Sequence, residues 1–180
     1  MSGVYMAMAK KKAKVKEEKG EVPKLYFAVR IRGSPGMNRK VLDTLKMLRM
    51  HKVNHGILIW GVKSYLGMLN KCKDFIAYGE IDETTLVRLL RVRGKIEGNK
   101  PLTDEHIKNL TKYKDIKDLA RALFKGEIQY KEKDLYKIKP VFRLHPPRKG
   151  HRGTVKKHYG EGGTLGYVKE YINVIVHKMM

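Results

Sequence analysis

The sequence carries a single cysteine, Cys72, which excludes an internal disulfide and any cysteine-rich zinc site. Serine is almost as scarce: Ser2, Ser34 and Ser64 are the only ones, and none sits in a Gly-x-Ser-x-Gly elbow of the kind that presents a nucleophile. No apolar run approaches the roughly 18 residues that a membrane-spanning helix needs. The run Ile57-Leu58-Ile59-Trp60 has the length of a strand. Residues 1–9 are too short for a secretory apolar segment with a cleavage site and run straight into Lys10-Lys11-Lys12, so an intracellular protein is expected. Acids are few as well. Asp and Glu number 18 against 40 Lys and Arg, for a net charge of +22. The acids stand mostly at helix starts, where capping explains them, and no catalytic constellation emerges. Neither an enzyme, a cofactor, a metal nor a small-molecule substrate is expected.

What the chain has is positive charge, far beyond the modest value that solubility needs. Such an excess repels itself unless a polyanion neutralises it. The segment Phe142-Arg143-Leu144-His145-Pro146-Pro147-Arg148-Lys149-Gly150-His151-Arg152-Gly153 concentrates this character. Its prolines and glycines forbid a helix interior, and it holds too few large apolar residues to build a core of its own. Between Lys131 and Gly160 ten Lys and Arg face only Glu132 and Asp134. A long basic loop of this kind is expected to lie against RNA.

Along the chain, residues 1–23 form a basic arm without apolar periodicity. From Lys24 the pattern alternates: Leu25, Phe27, Val29 and Ile31 fall on one face of a strand, and Tyr26, Ala28, Arg30 and Arg32 on the other. Gly33-Ser34-Pro35-Gly36 stops it. Asn38 caps a helix with Val41, Leu42, Leu45 and Leu48 inward. A second strand, Ile57 to Trp60, a helix with Leu66, Leu69 and Cys72 on one side, and a third strand, Phe75 to Tyr78, ending at Gly79, complete a β-α-β-α-β core over residues 24–80. Residues 81–130 read as a helical insertion. Asp82, Thr103 and Asp115 start its helices, and Ile116, Leu119, Leu123 and Phe124 point inward on the last, which Gly126 ends. Residues 131–163 are the basic extended loop. Residues 164–180 form a helix capped by Thr164, with Leu165, Val168, Ile172, Ile175 and Val176 at helical spacing.

The turn from Arg32 to Lys40 leads from a strand into a helix N-terminus, where free N–H groups favour an anion. It lacks the Gly-Lys-Ser/Thr ending of a nucleotide-binding loop, so an RNA phosphate is the expected anion. His51 and His55 do not share a helical face, and His145, His151, His158 and His177 are scattered among cations, which disfavours a metal. The aromatics are spread along the chain rather than grouped on one strand face, which speaks against a base-stacking sheet and for recognition of folded RNA by shape and phosphate.

Strand, loop and helix from Leu25 to Leu48, and the second strand and helix through Phe75, resemble the core of the L-thirty family of large-subunit ribosomal proteins. The segments Arg91-Val92-Arg93-Gly94-Lys95, Leu102-Thr103-Asp104, Phe142 to Arg148 and Glu161-Gly162-Gly163-Thr164-Leu165-Gly166 are similar to its archaeal and eukaryotic branch, called L-seven in eukaryotes. The likeness covers about residues 24–180, with its pieces in family order. Gly166-Tyr167-Val168-Lys169-Glu170 departs from the expected Gly-Asn-Arg-Glu, so no RNA contact is carried over to that helix start.

The resemblance implies an α+β, ferredoxin-like fold with a small, mainly antiparallel sheet and the first strand in its middle. It also implies a structural rRNA-binding subunit of a 50S-type particle, cytoplasmic with the ribosome. Its expected partners are 23S-type rRNA, with 5S rRNA as a further candidate, and neighbouring large-subunit proteins, with no membrane involved. A ribosome-assembly factor of the same fold is the alternative. The candidate RNA contacts are Lys10, Lys11, Lys12, Arg32, Ser34, Asn38, Arg39, Lys40, Arg49, His51, Lys52, Arg91, Arg93, Lys95 and Lys100. Arg143, His145, Arg148, Lys149, Arg152, Lys156, Lys157 and His158 complete the set.

Overall fold

The alternating strand at the start of the core is buried on both faces, not one: Phe27, Ala28 and Val29 are all fully covered. A computed structural model, which describes residues 24–110, 113–126 and 138–180, shows why. The expected arm, residues 1–23, lies outside the described residues. The elements are β1 (Leu25–Arg30), α1 (Arg39–Met47), β2 (His55–Trp60), α2 (Lys63–Lys71), β3 (Ile76–Glu80) and α3 (Glu83–Arg93). After a 3-10 turn at Glu97–Asn99 come α4 (Asp104–Leu110), α5 (Ile116–Phe124), β4 (Val141–Arg143), a 3-10 turn at Tyr159–Glu161, β5 (Gly166–Tyr167) and α6 (Tyr171–Met179). The strands form one sheet in the order β4-β2-β1-β3-β5. β1 lies in its centre, antiparallel to β2 and β3, so Phe27 pairs with both Leu58 and Gly79. β4 adds antiparallel to β2, and β5 adds parallel to β3. The fold is α+β, with a mostly antiparallel sheet as expected.

Apolar clusters fill both faces of this sheet. Ala28, Ile57, Ile59 and Ile76 meet Leu45, Leu48, Met50, Leu69 and Cys72 from α1, α2 and the turns that follow them. On the other face Phe27, Val29, Leu58 and Ala77 meet Leu86, Leu89 and Leu90 of α3, Leu119 and Leu123 of α5, and Ile172, Ile175 and Val176 of α6. Cys72 is a packing residue, its thiol pushed up to about 11 by burial and therefore inert. Asn38 caps α1 as expected, its side-chain oxygen accepting from the Lys40 N–H at 3.0 Å.

Other local expectations give way to tertiary contacts. Gly79 does not end β3 but sits inside it, because the Lys169 carbonyl comes so close that a Cβ would meet it at 2.0 Å. The final helix starts at Tyr171, not near Thr164. Gly166 has φ of 82° and leads a strand that pairs with β3, so Leu165 and Val168 are buried from a non-helical backbone. Thr164, fully buried, donates to the Arg152 carbonyl at 2.7 Å instead of capping. Asp82 and Asp115 occupy N-cap positions, yet neither side chain makes the capping bond. The Ile116 N–H at the start of α5 donates to Asp104 Oδ1, brought from α4, at 3.1 Å. Phe124 is 41% exposed, since it stands just outside the stripe of Ile116, Leu119, Ala120 and Leu123. The basic segment lends residues to the main core: β4 lies within it, and Phe142 and Leu144 are buried.

Candidate nucleic-acid interface

Strand register gathers several basic loops at one end of the sheet. Val29 pairs with Gly56, Arg30 with Ile76, His55 with Arg143, and Ala77 with Gly166. The C-terminal ends of β1 and β4 therefore lie beside the N-terminal ends of β2, β3 and β5. Loops 31–38, 48–54 and 144–150 leave or enter the sheet here. They carry Arg32, Ser34 and Asn38, then Arg49, His51 and Lys52, then His145, Arg148 and Lys149, while Arg39 and Lys40 begin α1 and Arg143 ends β4.

The loops are held mainly by backbone bonds that leave charged groups outward, with Arg32 itself half-buried. Arg32 Nη1 donates to the Asp74 carbonyl at 3.1 Å, and its guanidinium lies over the Phe75 ring at 5.0 Å. The Asn54 N–H donates to the Arg30 carbonyl at 2.8 Å, and the Asn54 carbonyl accepts from the Leu144 N–H at 3.0 Å. The His145 N–H donates to the Met179 carbonyl at 3.0 Å and the Arg148 N–H to the Lys178 carbonyl at 2.9 Å. The last carbonyls of a helix have no partner within it, and here the basic loop satisfies them. Lys149 and Gly150, with φ of 63° and 76°, then turn the chain back. Arginine, histidine and lysine side chains at positions 39, 40, 49, 51, 52, 143, 145, 148 and 149 are left exposed.

The field of this rim is felt by His55, half-buried at the start of β2. Its pKa is lowered from the ordinary 6.5, first by burial and then by Arg143, His51, Lys52 and Arg30. Its Nδ1 has no partner among the described residues. The unfolded chain therefore takes up this proton at higher pH than the folded one, so stability rises with pH across the window below 6.5 and falls as pH drops through it. His151 and His177 are shifted the same way, burial first. Denaturation curves between about pH 7 and pH 5 should show His55→Gln losing part of this dependence, and an unchanged profile would refute it.

The opposite end of the sheet is different in kind. Glu80 ends β3, with Asp82 and Glu83 at the start of α3 and Glu170 before α6. Glu80 accepts from Lys24 Nζ at 3.1 Å and from the Tyr167 hydroxyl at 3.2 Å. Tyr26, Tyr78 and Tyr167 come together on one sheet face, with ring centroids 6.4 Å (Tyr26 to Tyr167) and 5.6 Å (Tyr78 to Tyr167) apart. These aromatics are thus grouped and not spread, because register aligns positions far apart in sequence. The carboxylate among them makes a poor seat for a phosphodiester chain, and burial together with Glu80 pushes the Tyr167 pKa up to about 12.

Residues 26–76 match the family model described as ribosomal protein L30p/L7e. Over 155 residues the chain is 49% identical to large ribosomal subunit protein uL30 of Methanoculleus marisnigri, covering 86% of this chain and 99% of that protein. The uL30 protein of Methanococcus maripaludis is 49% identical over 156 residues and that of Archaeoglobus fulgidus 48% over 155, with the same coverage of 86% of this chain and 99% of the relative. The chain belongs to the uL30 family. The segment matched by the family model runs from β1 to the first residue of β3, and so includes two of the loops of the basic rim.

Not every candidate residue of this uL30 family member reaches that rim with its charge free. Arg93 Nη2 donates to the Met180 carbonyl at 2.5 Å, capping the C-terminal end of α6. Arg152 lies over the Tyr159 and Tyr171 rings at 4.9 and 5.7 Å. His158 Nε2 is 2.9 Å from Asp74 Oδ1. The Ser34 hydroxyl and the Asn38 carbonyl oxygen accept bonds from Arg30 and from the Lys40 N–H. Lys95 bridges to Pro101 through the backbone, and Lys100 stands on the exposed turn between them. Arg91, Lys156 and Lys157 are exposed but are tied to none of the rim loops by a side-chain bond among the described residues. Lys10, Lys11 and Lys12 lie outside the described residues.

One residue of the region escapes sequence reasoning. Arg30 falls on the polar face of the alternation, yet it is 1% exposed. Its Nε donates to the Arg32 carbonyl at 2.9 Å, Nη1 to the Met50 and His51 carbonyls at 2.9 Å each, and Nη2 to Ser34 Oγ at 2.7 Å. The available signal was the continuation of apolar burial on both sides of β1, through Ala28, which leaves a strand-end arginine no exit to water.

Proposed function

We propose that the chain is a structural constituent of the large ribosomal subunit that grips rRNA with the basic rim of its sheet, without catalysis and without a cofactor. The observation that carries this is the convergence of Arg32, Arg39, Lys40, Arg49, Lys52, Arg143, Arg148 and Lys149 at one end of a sheet whose other end bears Glu80, Asp82, Glu83 and Glu170. A phosphate backbone lying across the rim meets cations on separate, anchored loops, and each contact releases condensed counterions. Arg39 and Lys40 extend the grip at the N-terminus of α1, where the helix dipole favours an anion while Asn38 takes the Lys40 N–H. In this reading 23S-type rRNA is the main ligand, 5S rRNA a further one, and neighbouring large-subunit proteins complete the surroundings. Lys10, Lys11 and Lys12 extend the same grip. Arg91, Lys95, Lys100, Arg152, Lys156, Lys157 and His158 add peripheral contacts.

Arg148 tests the reading most directly. It is exposed, on a backbone pinned to α6, so its side chain is replaceable without loss of fold. Arginine holds a phosphate with paired bonds, whereas lysine acts as a mobile point charge. Arg148→Ala should weaken binding to a large-subunit rRNA fragment about tenfold and lower the log–log salt slope by roughly one unit. Arg148→Lys should fall between that variant and the parent, with the slope kept. Equal affinities and slopes for all three proteins would remove Arg148 from the interface. A tagged copy sedimenting with translating ribosomes fits a constituent of the subunit; a copy confined to precursor particles would instead mark an assembly factor.

A further inference from the structure

Arg30 is a buried cation without a carboxylate beside it. None of the ion pairs among the described residues involves it, and all its bonds go to neutral oxygens. Taking a guanidinium out of water without an opposite charge is costly, and the group cannot shed its proton to escape. An apolar side chain would fill the position without that cost, so packing does not explain an arginine here.

What the guanidinium does is join two loops. Its Nε and Nη2 hold the backbone of Arg32 and the hydroxyl of Ser34, before α1; its Nη1 holds the backbone of Met50 and His51, after α1. The second loop contains Arg49 and Asn54 at φ of 61° and 63°, a conformation side chains with a Cβ adopt at a cost. The planar fork of arginine spans these oxygens, whereas a lysine ammonium has only three donors at a single nitrogen.

We propose that Arg30 is the positioning residue of the rRNA-binding rim: without touching RNA, it locks the loops on either side of α1 at the spacing in which Arg32, Arg49 and Lys52 meet successive phosphates. This rests on the RNA-binding reading above. Loops ordered before association lose less conformational freedom on binding, so the clamp acts on affinity through the free protein.

The test uses the full chain with Arg30→Lys, which keeps the charge, and Ser34→Ala, which removes one arm of the clamp from an exposed residue. In the free protein, backbone amide exchange in 31–38 and 48–54 should speed up in both variants, more in Arg30→Lys, while exchange in β1 and β3 stays slow. Affinity of Arg30→Lys for the rRNA fragment should fall about tenfold with the log–log salt slope unchanged, because no phosphate contact is removed. Should Arg30→Lys fail to fold, the exchange of Ser34→Ala decides. Loop exchange equal to the parent's, or a salt slope lowered by roughly one unit, would overturn the proposal. If the parent itself binds rRNA without salt dependence, the function reading fails, while the exchange result still judges the clamp.

Discussion

Phe142→Ala should cost about 3–5 kcal/mol of stability, the ordinary range for emptying a fully packed phenylalanine site. The side chain is 1% exposed, with its ring centroid 6.0 Å from that of Phe27 at a 60° tilt. It pairs in register with Gly56, where a Cβ would stand 2.3 Å from Phe27 Cζ. The bare backbone of Gly56 thus makes room for one ring, and that ring is flanked by the other. β4 has only Val141, Phe142 and Arg143, and Phe142 is its one fully buried residue. Removing the ring leaves a cavity against Phe27 and loosens β4 at its one fully buried residue. Arg143 then loses its register opposite His55, so RNA affinity should fall along with stability. Thermal melting should register a drop of about 10 °C, given the size of the chain. A melting point within about 2 °C of the parent's would mean that Phe142 does not anchor β4.

Gly79→Ala should cost about 3 kcal/mol or more, for the opposite reason. The added methyl would meet the Lys169 carbonyl oxygen at 2.0 Å, its carbon at 3.0 Å and Ile172 Cβ at 3.1 Å. The two nearest atoms are backbone, and they cannot swing aside as a side chain can. The Val168 N–H, donating to the Tyr78 carbonyl at 2.9 Å, pins that backbone to β3. Relief requires α6 to lift from the sheet, taking Ile172, Ile175 and Val176 partly out of the core. Gly67→Ala is the control. Gly67 lies inside α2 with open space where a Cβ would go, so that change should be neutral or stabilise by up to about 1 kcal/mol. Chemical denaturation of the two variants side by side separates steric clash from any general effect of replacing glycine. Equal midpoints would refute the close approach at Gly79.

Much of the core was legible because short-range rules decide it. The Asn38 cap, the stripe of α1, the strand alternation at Leu25 to Val29 and the glycine stop at Gly126 all follow from side-chain chemistry within a few residues. The reading failed where a distant segment supplied the deciding contact. Gly79 reads as a strand end when seen alone, but the carbonyl of Lys169 explains it as a point of close approach. Thr164 has the chemistry of a helix cap and uses it on Arg152, because the open edge of β3 draws the following residues into a strand.

The same division runs through the candidate interface. Net charge and the positions of the basic segments were legible in the sequence alone, and they pointed to a polyanion before any fold was known. Which of those cations share a surface was not. Arg32, Arg49 and Arg143 come to one end of the sheet because β1, β2 and β4 pair in one register, while Arg152 lies over the rings of Tyr159 and Tyr171. Arg30 is the clearest case. By sequence it is one of 40 basic residues on the polar face of a strand, and only the packing of α1 and its flanking loops turns it into a buried clamp. Charge is a property of the residue, but the use made of it depends on which oxygens the folded chain brings within about 3 Å.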